Sequence, residues 1–484
     1  MAQLVDFLNS LVWSKALVYF CLLAGIYFSI RMRFFQVRYI KDMWKLLFGG
    51  QSSEKGVSSF QAFAMAVAGR VGTGNIAGVA TAIAMGGPGA VFWMWVTAFL
   101  GAGSAFVEAV LAQIYKEEHE GEYRGGPSYY IEKGLGLKWY AVIFSVATIV
   151  ATGLLLPGVQ ANSIAASINN AFGVAPAITG VGLVLLLGLI IFGGVKRIAR
   201  AAEFIVPFMA LGYILVAIII IAVNIEKLPG VLALIFESAF GLKQAFAGIL
   251  GYAIFWGVKR SVYSNEAGQG TAPHAAAAAE VSHPAKQGLV QAFSVYVDTL
   301  FVCSATAFMI LITGKYNVYN PKGGFIVENL PGMDIGPGYT QRAVETLFPS
   351  FGAAFVAIAL FFFAFTTLMA YYYYAESNIA YLTRKGSSRL FINVLRVALL
   401  ASTFYGTIRT ATFAWGLGDL GVGIMAWLNL IAILLLQKPA LKAFEDWKEQ
   451  RAKGIDPVFD PIKLGIKNAD LWVQKFGKKQ VAGE

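Results

Sequence analysis

The segment Gly69–Asn75 holds the residues best suited to bind a charged solute. It reads Gly-Arg-Val-Gly-Thr-Gly-Asn and lies in the middle of an apolar run over 57–86. Three glycines, an arginine and an asparagine at the centre of a membrane helix are costly unless they serve a function. Glycines let a helix unwind, and a half-helix that restarts near Asn75 would point its positive end at the gap, where a carboxylate can bind. Close packing through small residues is the alternative, but Arg70 and Asn75 do not serve packing.

A second glycine-interrupted run, over 244–278, lies five apolar runs later. It contains Ile254–Gly257, followed by the polar stretch Ser264–Gly270. Two such segments at matching positions are typical of an inverted-repeat transporter with a binding site at the membrane midplane. We therefore expect two helices broken at mid-membrane, one at Gly72–Asn75 and one at Ile254–Gly257.

Adjacent hydroxyls at Thr366 and Thr367 interrupt the apolar run 361–370. In a helix such hydroxyls often bond the carbonyl four residues earlier, which is a purely structural role. Beside an unwound helix they are instead candidate sodium ligands, because carbonyl and hydroxyl oxygens can replace the water shell of a hard cation. Both interpretations stay open on the residues alone.

Membrane-spanning helices must position these residues. The chain has 484 residues, of which 57% are hydrophobic and only 13% charged. A soluble protein of this length carries far more charge, and apolar runs of about twenty residues can each cross roughly 30 Å of hydrocarbon. The sequence predicts an all-α polytopic membrane protein of about eleven transmembrane helices. The expected spans are 11–31, 57–86, 89–115, 139–172, 173–195, 201–223, 244–264, 286–314, 343–378, 388–410 and 417–437.

The distribution of positive charge predicts the orientation. The net charge is +11, but Lys and Arg gather in short loops and the tail, so a nucleic-acid partner is not indicated. With the N-terminus outside and the C-terminus cytoplasmic, the basic segments all fall on the inner side of a cell membrane. Those segments are Arg31–Lys45, Lys196–Arg200, Lys259–Lys286, Arg384–Arg389 and Lys438–Lys479.

The spans divide into two halves of five helices with one extra helix in front. We expect an extra N-terminal transmembrane helix with a cytoplasmic connector over 1–56, a first repeat over 57–223, an extracellular connecting segment over 224–243, a second repeat over 244–437 and a cytoplasmic amphipathic tail over 438–484. The apolar residues of the tail predict that it rests near lipid head groups, with a solvated tail as the alternative. These residues are Trp447, Phe459, Leu464, Trp472 and Phe476.

Several motifs resemble the alanine or glycine:cation symporter family, and the likeness extends from about the first span to the last. They are Val71–Ala80, Gly86–Ala90, Phe92–Val96, Glu122–Pro127 and Tyr263–Gly268. The resemblance implies a fold of the bacterial leucine-transporter type, a 5+5 inverted repeat, and uptake of a small neutral amino acid with sodium. It also implies a four-helix bundle that rocks against a scaffold, working as a monomer in the lipid bilayer.

The same resemblance implies the site residues, because Gly72-x-Gly74-Asn75 is similar to the G-x-G-N of the unwound first helix in neurotransmitter:sodium symporters. The implied sodium ligands are Ala68, Val71, Phe363, Thr366 and Thr367. The implied substrate contacts are Thr73, Gly74, Asn75, Ile254, Phe255, Trp256, Gly257, Thr366 and Met369. Arg70 departs from the related pattern, in which a small residue stands there. Sodium-independent relatives often carry a lysine in the fifth core helix, and Phe204–Val223 contains none, which favours sodium.

Charged residues within other spans leave a rival function open. If Glu108, Asp298 and Glu376 carry protons, the chain is a proton-coupled amino-acid permease or exporter of the same fold. We expect instead that they and Arg396 brace the helices, because none lies in a segment expected to be broken. A membrane-embedded enzyme would need acid, base or metal ligands gathered at one depth, and the sequence does not supply such a cluster.

Overall fold

A computed structural model describes residues 2–50, 52–192, 194–384 and 386–475. Within these ranges, eight helices are long and apolar enough to cross a membrane. Three expected spans are not among the eight. The span over 57–86 is broken, and those over 173–195 and 244–264 contain helices of only 16 residues. The mostly helical, polytopic membrane fold is confirmed, while the count of eleven stays a prediction.

The first half of the chain alternates long helices with short connectors. A π-helical segment, Gly74–Gly78, precedes α6, and another, Ala151–Leu155, joins α9 to α10 without a break. The helices are α1 Ala2–Val12, α2 Lys15–Arg31, α3 Phe35–Arg38, α4 Ile40–Leu47, α5 Ser59–Arg70, α6 Val79–Gly86, α7 Gly89–Ile114, α8 Pro127–Tyr130, α9 Lys138–Val150, α10 Leu156–Phe172, α11 Pro176–Ile191 and α12 Gly194–Val223.

The second half begins with a helix in the connecting segment and ends in the tail. A π-helical segment, Val297–Cys303, joins α16 to α17. The helices are α13 Leu228–Ala239, α14 Leu250–Asn265, α15 Pro273–Ala278, α16 Pro284–Tyr296, α17 Ser304–Thr313, α18 Pro337–Glu345, α19 Gly352–Leu382, α20 Arg389–Thr407, α21 Ala411–Leu435 and α22 Gln437–Ala452. Two antiparallel hairpins lie in connectors: β1 Glu117–His119 with β2 Glu122–Arg124, and β3 Asn317–Tyr319 with β4 Phe325–Glu328.

Two groups of helices pack around the broken helix pair α5 and α6. In one group α7 packs along both α14 and α16, and in the other α10 packs along α19, α20 and α21. Helix α5 contacts both groups, because it packs on α16 and on α19. The break at the end of α5 therefore lies between the two groups. A relative motion of the groups would change the surroundings of the break.

The periphery is apolar and the interior carries the polar side chains, as expected for a protein whose solvent is lipid. On α12, the side chains of Phe204, Phe208 and Leu211 are 68–81% exposed. By contrast, Arg70, Glu108 and other ionisable side chains are almost fully buried. This inside-out distribution agrees with a chain that crosses the bilayer many times.

The tail packs on the protein. Trp447, Phe459 and Trp472 are at most 4% exposed, and the indole N–H of Trp472 donates to the carbonyl of Gln113 at 2.7 Å. The expectation that these side chains rest on lipid head groups is therefore wrong, because the neighbouring helices offer them an apolar surface. Phe476 and the rest of 476–484 lie outside the described residues.

Candidate functional site

The helix break between α5 and α6 lies where the glycines predict it. Helix α5 ends at Arg70, and Val71 leaves the helical conformation with ψ near 87°. The Gly72 N–H then donates to Oδ1 of Asn75 at 2.9 Å, so the asparagine closes the gap before the chain becomes helical again. All these residues are buried, so the freed backbone groups face the interior of the protein.

Carbonyl and hydroxyl oxygens meet beside this break. The Thr367 hydroxyl donates to the Ala68 carbonyl at 2.8 Å and to the Phe363 carbonyl at 3.0 Å, and lies 3.5 Å from the Val71 carbonyl oxygen. A Cβ on Gly72 would lie 2.5 Å from Thr367 Oγ1, so only glycine lets α19 approach so closely. The structure thus brings together four of the five expected sodium ligands.

The fifth expected ligand, Thr366, faces another direction. Its hydroxyl donates to the carbonyls of Phe362 and Phe363 at 3.0 and 2.9 Å and lies 3.8 Å from the Met209 sulfur on α12. This is the local hydrogen bonding that serine and threonine adopt within helices. Met369, expected at the substrate, is fully buried in the same helix.

Asn75 connects the break to a buried carboxylate. Its amide donates to Asp298 Oδ1 at 2.7 Å, and the hydroxyls of Ser264 and Thr299 donate to the same carboxylate at 3.1 and 2.7 Å. Asp298 is the second residue of the π-helical segment Val297–Cys303. The sequence predicts Asp298 only as a brace outside any broken segment. A single aspartate in an apolar span was the one feature of the sequence that indicated a site residue.

The amide of Gln160 also enters the break and was not predicted. Its Oε1 accepts the Thr73 N–H at 3.0 Å, and its Nε2 lies 3.5 Å from the Tyr371 hydroxyl. On the other side, a Cβ on Gly74 would lie 3.1 Å from Ser264 Cα and 3.2 Å from Tyr263 Cδ1. The only feature of the sequence that indicated a role for Gln160 was its polar side chain in an apolar span without charged residues.

The second helix break is not at Ile254–Gly257, and that expectation is wrong. Helix α14 runs unbroken through these residues and ends only at Asn265. Gly257 serves packing, since a Cβ there would lie 2.5 Å from Trp93 Cβ and 2.7 Å from the Ala90 carbonyl oxygen. The actual break begins at Glu266, directly after the end of α14 and within the polar stretch Ser264–Gly270.

Ile254, Phe255, Trp256 and Gly257 are therefore not brought to the first break. Ile254 and Phe255 line a groove with Trp13 and Tyr19 of the N-terminal helices. About ten residues of helix, or roughly 15 Å, separate Ile254 from Ser264, which does contact the break. The residues of α14 that reach the site are Tyr263 and Ser264.

Two cations expected in an inner loop lie within a helix instead. Lys259 and Arg260 belong to α14, and both bind the Asp419 carboxylate of α21, at 2.8 and 2.9 Å. The Arg260 guanidinium also stacks over the ring of Trp415, 4.4 Å from its centre. These two charges are paired inside the protein and do not contribute to the positive-inside pattern.

Comparison with known proteins gives one family over most of the chain. The model of the sodium:alanine symporter family matches residues 1–461. The YrbD protein of Bacillus subtilis (strain 168), provisionally named a sodium/proton-dependent alanine carrier, is 64% identical over 476 residues and 98% of both chains. A sodium/proton-dependent alanine carrier protein of Bacillus sp. (strain PS3) is 58% identical over 89% of this chain and 97% of its own.

More distant relatives extend the likeness. The sodium/alanine symporter AgcS of Methanococcus maripaludis is 40% identical over 93% of this chain and 99% of its own. A crystal structure of a manganese transporter from Eremococcus coleocola gives a TM-score of 0.50 at 12% identity, over 86% of this chain and 92% of that one. At such low identity the second likeness concerns the fold alone.

Proposed function

This chain belongs to the sodium:alanine symporter family, and from that premise we propose that it imports alanine or a similarly small neutral amino acid together with sodium. Relatives that match over nearly their whole length are named as alanine carriers or symporters. The carrier is a multi-pass membrane protein and acts as a transporter. Alternating access between a bundle and a scaffold would move both solutes.

The observation that carries the sodium assignment is the oxygen cluster at the first break. The carbonyls of Ala68, Val71 and Phe363 and the hydroxyl of Thr367 lie within one hydrogen-bonded group. Neutral oxygens of this kind suit a hard cation. We propose that sodium binds here as cargo, that the single hydrogen of the Thr367 hydroxyl then turns away from the carbonyls, and that Thr366 becomes a further ligand after a change of rotamer.

We propose that the substrate carboxylate binds at the N-terminal end of the half-helix that starts near Thr73, Gly74 and Asn75. The positive end of a helix attracts an anion. The Thr73 N–H now donates to Gln160 Oε1, and a carboxylate oxygen can take over this N–H when the glutamine turns away. Tyr263 lies close to Gly74, and we propose that its ring limits the substrate to a small side chain.

The orientation and assembly follow as further parts of the proposal. We place the N-terminus outside and the C-terminus in the cytoplasm, because the basic loops and tail then lie inside. The lipid bilayer is the surrounding medium, and one chain holds all the proposed site residues, so the monomer is sufficient. The names of two relatives mention both sodium and protons. Transport of a proton is therefore compatible with the proposed function.

Uptake by the reconstituted protein tests this proposal. Proteoliposomes should accumulate labelled alanine when a sodium gradient points inward and should not do so when potassium replaces sodium. Unlabelled glycine and serine should compete, whereas leucine should compete poorly because Tyr263 crowds the site. Uptake that ignores sodium would overturn the ion assignment, and equal competition by leucine would overturn the small site.

A further inference from the structure

Glu266 occupies the actual break of the second interrupted span. It follows α14 in a left-handed backbone conformation, with φ of 56°. Residues other than glycine rarely adopt this conformation. Such backbone is retained where the surroundings enforce it, often at functional positions. A Cβ on Gly69 would lie 3.2 Å from Glu266 Oε2. The carboxylate therefore lies against α5, one residue before that helix ends at Arg70.

The Glu266 carboxylate has no hydrogen bond of good geometry among the described residues. The residue is 1% exposed, and neither Oε1 nor Oε2 has a hydrogen-bond partner among the described residues. The two neighbouring carboxylates differ. Glu108 accepts from the Gly268 N–H and the Asn429 amide, and Asp298 accepts from three side chains. Since a buried ionised carboxylate without well-placed donors is very costly, Glu266 is the best suited of the three to hold a proton.

The charges and hydroxyls around Glu266 support this assignment. Arg70, Glu108 and Asp298 are the charged groups that face it, so three carboxylates share one guanidinium. Nε and Nη2 of Arg70 are themselves buried without a partner in the described part of the chain, and its Nη1 binds α16. A cation bound to one carboxylate would bring the cluster closer to neutrality.

Hydroxyl groups complete the surroundings. Tyr374 and Thr271 turn their hydroxyls toward the carboxylate, and Tyr263 and Tyr371 are the other titratable groups that face it. The Tyr374 and Thr271 hydroxyls have no partner of good geometry among the described residues. A carboxyl O–H gives such oxygens a donor, and a proton needs only one oxygen, whereas a metal ion needs several that converge.

We propose that Glu266 is the proton-binding site of this carrier, and that a proton crosses the membrane on it together with sodium and the amino acid. The inference rests on the proposed symport. A proton enters from outside, is held as the carboxyl O–H while the broken helices change their packing, and leaves to the cytoplasm, so that the carboxylate is regenerated. Because Gly69 and Glu266 are in contact, movement at either break changes the surroundings of the carboxyl group.

The test measures proton entry and alanine entry in the same proteoliposomes. The vesicles contain a pH-sensitive dye, the membrane potential is clamped, and alanine is added outside with an inward sodium gradient. The wild-type protein should acidify the interior when alanine enters. Glu266→Gln should keep sodium-dependent alanine uptake and lose the acidification. The matched control is Glu376→Gln, because Glu376 is also a buried carboxylate but pairs with Arg124; this variant should keep the acidification.

The remaining outcomes separate the proposals. Acidification that persists in Glu266→Gln, or wild-type alanine uptake without acidification, overturns the proton site and leaves sodium symport standing. A lower ratio of labelled sodium to alanine in this variant, with acidification unchanged, would assign Glu266 to sodium instead. A wild-type protein that takes up no alanine overturns both proposals.

A second variant decides the matter if Glu266→Gln does not fold. Tyr374→Phe removes a hydroxyl that faces the carboxylate and so disfavours its charged form. The midpoint of the pH dependence of alanine uptake, at constant sodium, should then move to higher pH. An unchanged midpoint in folded Tyr374→Phe protein overturns the proposal.

Discussion

The hydroxyl of Thr367 is the side-chain group that most directly joins the broken helix to α19. Thr367→Val keeps the shape of the side chain and removes the oxygen that lies 2.8 Å from the Ala68 carbonyl. We expect the sodium concentration for half-maximal uptake to rise about tenfold, because loss of a buried polar contact costs about 1–3 kcal/mol. Uptake measured over a sodium series checks this.

Thr366→Val is the comparison for this prediction, because Thr366 is proposed to reach the ion only after a change of rotamer. The Thr366 hydroxyl already bonds within its own helix, so its loss should change the sodium dependence less than the loss of the Thr367 hydroxyl. The account of the sodium site fails if Thr367→Val leaves the sodium dependence at the wild-type value.

Gly72 is the residue whose smallness the site requires. An alanine there would place its Cβ 2.5 Å from Thr367 Oγ1 and 2.9 Å from Gln160 Oε1. Gly72→Ala should abolish uptake and lower the stability by about 1–3 kcal/mol, the usual cost of overfilling a packed interior. Thermal unfolding in detergent and uptake together measure this. Gly182→Ala, where a Cβ meets nothing within 4 Å, should be close to wild type, and equal behaviour of the two variants would contradict the packing argument.

At the scale of elements, the buried ion cluster of Asp419 fastens α14 to α21. Asp419→Asn leaves Lys259 and Arg260 buried without their shared carboxylate. Breaking a buried pair in this way costs about 3–5 kcal/mol, so we expect a clear loss of thermal stability and of uptake. Glu237→Gln removes an exposed carboxylate and should have little effect. A variant at Asp419 as stable as the wild type would show that the cluster does not hold these helices together.

Acidification should loosen the contact between α16 and α22. His283 Nδ1 accepts the Ala285 N–H at 3.1 Å, so the neutral ring donates from Nε2 to Asp446, 3.3 Å away. Burial lowers the pKa of His283, and the hydrogen bond from His283 lowers the pKa of Asp446. Both values lie below those of the unfolded chain. The contact is therefore fully stable above about pH 6.5 and weakens as the pH falls through the lowered pKa values of His283 and Asp446.

Hydrogen exchange of α22 at neutral and mildly acidic pH, corrected for the intrinsic rate, measures this loosening. Exchange should increase at acidic pH in the wild-type protein. His283→Gln, which retains hydrogen-bonding groups but does not titrate, should lose the pH dependence. Equal protection of wild-type α22 at both pH values would contradict the role of the histidine.

The two interrupted helices differ in how far their sequences predicted them. The first break was predictable because Arg70 and Asn75 have no use in helix packing. The second was misplaced because a glycine in an apolar helix serves either unwinding or packing, and only the partner decides. At Gly257 the partner is Trp93 of α7, which no local pattern reveals. Gln160 and Asp298 were missed as site residues for the same reason, since their contacts lie in distant parts of the chain.

For the whole molecule, hydropathy was sufficient to predict the membrane fold but not where the C-terminal tail packs. The apolar runs predicted nearly every long helix, because crossing lipid requires about twenty apolar residues. The tail was expected on lipid, but the aromatic side chains of Trp447, Phe459 and Trp472 are buried against the rest of the protein. An amphipathic segment needs an apolar surface, and its sequence does not say whether lipid or protein supplies it.

The central claim is that sodium and a small amino acid cross the membrane together through the site at Gly72–Asn75. The most direct measurement is the reverse of the uptake assay, in which an inward alanine gradient alone drives labelled sodium into proteoliposomes that have equal sodium on both sides. The account predicts sodium accumulation that requires alanine and is lost in Gly72→Ala. Alanine entry without any accompanying movement of sodium would contradict it.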